Sequence, residues 1–321
     1  MPPDYDDLAL IDGVRSSWGL WGADDRLGCL NLLDAGTVRA ALADVNRGDV
    51  HSLNWRIDLP DPPLFDRPRV RHEIVKSTTS TSLNDVVSDW NTQSSSQWDG
   101  FRHVSRHGSG NYNGLGDGHG VHVWAERGIV AGAVLLDVAR WRASVGRPLR
   151  QGTPDPISGH DLLDTAAAQR VQIRTGDVLL IRTGWIAWYE SLDAAGREHL
   201  KTTSNLVNPG LAPDEETARV LWNLHPSAVA ADNPGFELWP IGGLLPPDER
   251  AAVLADPSRR HEISLHTRLL PMLGLPMGEL WYLERLADAC AADGEYRACV
   301  TSAPLNLPHA AASPANALAI R

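Results

Sequence analysis

VLLDV at 134–138, HDLLDTAAAQR at 160–170 and DVLLIRT at 177–183 set the class of the fold. The first and third are short apolar runs bounded by turn residues, as buried strands are, and the segment between them reads as a helix. The same mixture continues downstream. APDEETARVLWNLH at 212–225 is a helix with Pro213 and acidic residues in its first turn. Ser227–Ala231 reads as a strand, Ser264–Leu273 as a helix, and Glu279–Leu286 and Tyr296–Ala303 as strands. Upstream, Asp34 caps a helix that Gly48 ends, Val50–Ile57 is a strand, and four prolines make 58–68 an extended loop. Strands and helices intermix without a strict βαβ repeat. The expectation is a single α/β domain over 1–321 that is not a Rossmann fold.

The balance of charge narrows the partners. With 29 basic against 40 acidic residues, the net charge of −11 argues against nucleic acid and anionic membranes as partners. Hydrophobic residues make up 43%, enough in a chain of 321 to bury a large core without disulfides. Cys29, Cys290 and Cys299 form no CxxC pair, which fits a reducing compartment. The N-terminus is acidic and lacks the order of a signal peptide. The longest apolar stretch, Gly128–Val138, contains Asp137 and falls short of the ~20 residues that a membrane span needs. A cytoplasmic location is expected.

Residues 77–120 are rich in Ser, Thr, Asn and Gly, yet hold Trp90, Trp98, Phe101 and Tyr112. Segments of this kind often carry sites. The chain has 12 Trp against 5 Tyr and 3 Phe, and large flat side chains near turns can line an aromatic pocket or seal a subunit interface. Four of the histidines, His103, His107, His119 and His122, fall here, just after Gln93, Gln97 and Asp99. Clustered imidazole, carboxylate and amide groups can hold a divalent metal, and a free imidazole can move protons. The alternative is a polar loop bonding to its own backbone. The glycines from Gly108 to Gly120 follow no strand and precede no GK[ST], so they do not read as a phosphate loop. Neither GxSxG nor HExxH occurs.

Several segments together resemble the cyclase family, the metal-dependent group that includes arylformamidases, isatin hydrolases and aromatic-polyketide cyclases. They are WGADDRLGCLNLL at 21–33, SSSQWDGFRH at 94–103, ERGIVAGAVLLDVARW at 126–141, TGDVLLIRTGW at 175–185 and APLNLPHAAASPANALAIR at 303–321. The resemblance covers nearly the whole chain. It implies an α/β fold with a central mixed, barrel-like β structure surrounded by helices. It also implies a homodimer or homotetramer, with residues 1–33 as an arm at the subunit interface.

The family's signature is His-x-x-x-His-x-Asp-x-x-x-His, in which the first two His and the Asp hold metal and the last His is the acid or base. On this chain the Asp falls on Asp99 and the catalytic His on His103, but the two ligand histidines are Gln93 and Gln97. An amide oxygen is a weaker ligand than imidazole and suits harder ions. A later His and Glu of the family match His266 and Glu279. The implied site is one divalent metal, Mn or Zn, held by Asp99, His266 and Glu279 with Gln93 and Gln97 around it. The competing expectation is a metal-free pocket. Two loops depart from the family's pattern, at Ala131-Gly-Ala133 and Ala310-Ala-Ala-Ser313, and beside the second lies His309, a candidate substrate contact.

The resemblance therefore implies a hydrolase that cleaves a small cyclic or acyl amide or a lactone. His103 would be the acid and base, and Trp90, Trp98 and Phe101 would flank an aromatic or apolar substrate. One alternative is a metal-independent cyclase or dehydratase of secondary metabolism that uses His103 and Asp99. The other is a non-catalytic small-molecule binding protein. Asp232, Asn233 and Glu237 follow the strand at 227–231, where polar residues either serve a site or cap a turn.

Overall fold

The apolar runs become the centre of a nine-stranded mixed sheet that curls into a half-barrel flanked by helices. The computed structural model describes the backbone of residues 1–321 and every side chain except that of Asp117. The sheet strands are β1 (Val50–Ser52), β2 (Gln97–Asp99), β3 (Ile129–Leu136), β4 (Val178–Ile181) and β5 (Ala228–Ala231). They continue with β6 (Met277–Glu279), β7 (Arg297–Ser302), β8 (Ala312–Pro314) and β9 (Ala317–Ile320). Their spatial order is β8-β2-β6-β5-β4-β3-β7-β9-β1. The pairs β3–β4, β4–β5 and β5–β6 are parallel, and the outer pairs are antiparallel. Every residue of β4 and β5 is buried, as continuous apolar strands covered on both faces should be.

Asp34 caps its helix as expected, and the structure adds caps at Ser158 and at Asp214, the latter leaving Pro213 outside its helix. Asp34 accepts from Thr37 N ahead of Ala35–Ala43, and Asp214 accepts from Thr217 N ahead of Glu215–Asn223. Ser158 and Asp161 form a reciprocal capping box at Gly159–Gln169. Among the described residues no helix is long and apolar enough to cross a membrane.

Five expectations need correction. The helix expected to run to Gly48 stops at Ala43, and the strand expected over Val50–Ile57 is only Val50–Ser52. Glu279–Leu286 is not one strand: β6 ends at Glu279, Leu280 turns with φ +54°, and a helix runs over Glu284–Asp293. Only His266–Leu269 of the expected helix 264–273 is helical; Pro271 lacks the N–H that would continue it. Within the segment read as irregular, Leu83–Ser88 pairs with Arg71–Lys76 in an exposed two-stranded ribbon. Residues 1–33 pack on their own chain. Tyr5, Leu8, Cys29 and Leu30 enter the core, and Trp222 donates its indole N–H to Pro3 O.

Asp232 ties β5 to the turn after β4. Fully buried, it accepts from Thr183 N at 2.6 Å, Thr183 Oγ1 at 2.8 Å and Gly184 N at 2.8 Å. Burial pushes its carboxyl up to about 6, although Arg182 and the Thr183 donors pull the other way. Asp232→Ala strands three donors and is expected to cost about 3–5 kcal/mol. Urea unfolding would show this as a lower midpoint at unchanged slope.

Candidate active site

Strand alternation builds the floor of the site. Gln97 and Asp99 are two apart on β2 and share a face. Antiparallel register sets Glu279 of β6 directly opposite Gln97, so all three side chains meet. Trp98, between them, points the other way and fills the core against Trp281 at 4.7 Å and Trp124 at 6.3 Å. Gly100 then lets the chain turn. A Cβ there would lie 2.6 Å from Val121 and 2.8 Å from Ala311 O, so no larger residue fits. The turn closes with His103 N donating to Gly100 O at 2.9 Å, which brings the imidazole back over Asp99.

Two further segments supply the wall. Glu237 follows β5 and is buried; it accepts from Ser264 Oγ at 2.8 Å and His266 N at 3.1 Å. Its Oε1 lies 3.2 Å from His266 Nδ1, while His266 Nε2 lies 3.1 Å from Glu279 Oε1 and 3.9 Å from Asp99 Oδ2. His103 Nε2 lies 3.9 Å from Asp99 Oδ1. Gln93 donates to Asp99 Oδ1 at 2.6 Å and sits 3.1 Å from His103 Nδ1. Gln97 donates to Glu279 Oε2 at 2.9 Å, and its own Oε1 is buried with no partner.

Charge in this cluster is unevenly matched. Asp99, Glu237 and Glu279 are all buried within it. Burial pushes the Asp99 carboxyl up, only partly offset by His103. Burial works against the charged form of His266, but Glu237 and Glu279 outweigh it and hold the imidazole well above its usual range. Glu279 also resists burial: His266 keeps its carboxyl below the usual range. Arg67 stands nearby, its guanidinium made less basic by burial.

The donor set fits a divalent cation. Ligand atoms of Asp99, His103 and His266 all lie within 4.8 Å of one another. The Glu237 contact at Nδ1 fixes the tautomer that leaves His266 Nε2 toward Asp99, the arrangement by which carboxylates orient metal-binding imidazoles. The orphaned Gln97 oxygen and the surplus of buried carboxylate point the same way.

A cavity of about 630 Å³ reaches the cluster at His103, Glu237, His266 and Glu279, which share its lining with Phe65, Arg67 and Trp239. The structure thus brings together Gln93, Gln97, Asp99, His103, His266 and Glu279. It does not bring the four expected substrate contacts. Trp98 and Phe101 are core residues, Phe101 packing on Tyr112 at 4.9 Å and Trp124 at 5.1 Å. Trp90 is half-buried outside the cavity lining. His309 is exposed, its ring 5.6 Å from that of His122. The aromatic wall is instead Phe65 edge-on to Trp239 at 5.2 Å. Sequence reading missed Arg67 and Phe65, which come from a proline-rich loop without periodicity; Trp239 carries the general signal of a tryptophan near a turn. Glu237 carried one signal, its place after a buried strand.

Comparison with known proteins agrees with this architecture. The sequence profile of the Cyclase family matches residues 51–238. The crystal structure of a novel cyclase is similar at 28% identity, covering 98% of this chain and 100% of that one, with a TM-score of 0.78. Isatin hydrolase A from Ralstonia solanacearum is similar in fold at 16% identity, covering 89% and 97% of the two chains, with a TM-score of 0.56. Isatin hydrolase A from Labrenzia aggregata, bound to benzyl benzoate, is similar at 18% identity over 90% and 98%, with a TM-score of 0.53. A search of curated proteins finds no match. With its profile match spanning more than half of the sequence and its nine-stranded sheet shared with a cyclase structure, the chain belongs to the Cyclase family.

Proposed function

We propose that the protein is a metal-dependent hydrolase of a small cyclic or acyl amide, or of a lactone. The observation that carries this reading is the convergence of Asp99, His103 and His266 beside a cavity that His103 and His266 line. Asp99, His266 and Glu279 would hold the ion, Mn²⁺ or Zn²⁺, with Gln97 beside it. A bound divalent ion there supplies Lewis acidity to the scissile carbonyl.

The chain's own groups do the rest. Glu237 orients His266 through Nδ1, and Gln93 orients His103. His103, more exposed than Asp99, Glu237, His266 and Glu279, takes the proton of the attacking water and returns it to the leaving nitrogen or oxygen. Phe65 and Trp239 offer an apolar wall to an aromatic substrate.

A panel of isatin, an aryl formamide and an aryl lactone tests this reading. At least one is expected to be hydrolysed, with a loss on the order of 10³-fold after chelation and recovery on adding Mn²⁺ or Zn²⁺. Failure on all three would overturn it. Turnover that survives chelation would favour a metal-free cyclase or dehydratase. One observation supports that second reading: Gln93 and Gln97 donate N–H bonds to Asp99 and Glu279 where the family's signature has histidine.

We further propose a cytoplasmic homodimer or homotetramer with residues 1–33 at the interface. Three buried, unpaired cysteines support a reducing compartment, and Leu10 and Leu20 support the interface because they are exposed on that arm.

A further inference from the structure

One wall of the cavity carries positive charge that the hydrolytic chemistry does not use. Arg106 and Arg260 line it, on the Pro257–Glu262 side and the loop after His103. Arg106 is 5% exposed. Its Nη1 donates to Ser258 O at 2.8 Å and its Nη2 reaches Asp12 O at 3.4 Å, both backbone carbonyls. Arg260 likewise donates only to a carbonyl, Leu254 O at 2.7 Å. The Nε of each is buried without a partner. Neither guanidinium has a carboxylate within ion-pair distance among the described residues, although Asp12 and Glu262 are close in the chain fold: Asp12 engages Ser109, and Glu262 pairs with Arg259. Arg67, also in the lining, differs: it donates to Gln93 O and lies over Phe65, and Glu279 and Asp99 supply its opposing charge.

A buried guanidinium without a counter-charge is costly unless something pairs with it. Away from the cavity, arginines such as Arg140, Arg142, Arg182 and Arg297 are paired with carboxylates, whereas beside it Arg250 and Arg268 also donate to backbone carbonyls. The carboxylates of this cavity, Glu237 and Glu279, are already engaged by His266. An anion for Arg106 and Arg260 would therefore come from a ligand.

We infer that Arg106 and Arg260 form a subsite for a carboxylate on the substrate, remote from the bond that is cleaved. The substrate class is then an aromatic or apolar body bearing one carboxylate, its body against Phe65 and Trp239. The inference rests on the hydrolase reading for which end of the cavity reacts, but binding tests it without turnover.

The experiment is calorimetric titration of the chelated protein with indole-3-carboxylate and with indole-3-carboxamide. Chelation removes any metal that would itself attract the carboxylate. The acid is expected to bind at least about tenfold tighter than the amide. Arg260→Gln and Arg106→Gln should each reduce that preference, and the double variant should abolish it. Arg260→Gln keeps the test valid if loss of the Arg106–Ser258 bond disturbs folding. Equal binding of the two probes by the unmodified chain would overturn the inference, as would a preference that survives in the folded double variant. Failure of the hydrolase reading would appear separately, as absence of turnover with the anion preference intact.

Discussion

His103→Ala is expected to lower kcat by about 10²–10⁴-fold while the protein keeps its bound divalent ion. The imidazole reaches the cluster from the turn at Gly100, and Gln93 is its nearest hydrogen-bond partner at 3.1 Å. It is 28% exposed on the cavity side, whereas Asp99 is fully buried. A group in that position can exchange protons with substrate and solvent; a fully enclosed ligand cannot. Steady-state kinetics with elemental analysis of the same preparation checks both halves. Loss of metal together with activity would instead place His103 among the ligands, which its 3.9 Å approach to Asp99 permits. Unchanged kcat would remove it from the mechanism.

His266→Ala is expected to lose the ion and to destabilise the fold by about 3–5 kcal/mol. In the metal-free chain His266 is the cationic partner of both Glu237 and Glu279, at 3.2 and 3.1 Å; as a ligand it is neutral and the ion would supply the positive charge. Without it, two carboxylates remain buried, one supported by Ser264 and backbone N–H groups and the other by Gln97. Desolvation then falls on charges with no opposite charge beside them. Urea unfolding with and without added Mn²⁺ measures the effect. A variant of unchanged stability would show that Glu237 and Glu279 do not depend on His266.

The sequence makes the centre of the sheet legible because β3, β4 and β5 are apolar runs that only doubly covered strands tolerate, and Asp34 marks its helix by an explicit cap. Glu279–Leu286 misleads because its apolar run continues past the end of β6, and nothing local marks the turn at Leu280. The ribbon at 71–88 is hidden for a different reason. Its aliphatic residues Ile74, Leu83 and Val87 are exposed, so no inward and outward alternation marks a strand.

The site divides in the same way. Asp99 and His103 match the family's signature, in which Gln93 and Gln97 stand at the positions of its two histidine ligands, and His266 and Glu279 match by family resemblance. Strand alternation separates Trp98 from the site: Gln97 and Asp99 share the face of the cluster, so the residue between them faces the core. Arg67, Phe65 and Trp239 could not be read this way, because only the folded chain brings the 58–68 loop to the turn after β5.

The most direct test of the account is the metal content of the unmodified chain and of Asp99→Ala, each purified without a histidine tag. The account predicts about one tightly held Mn or Zn per chain, and none in the variant. A chain that stays metal-free after incubation with both ions would contradict it, as would an Asp99→Ala protein that retains its metal.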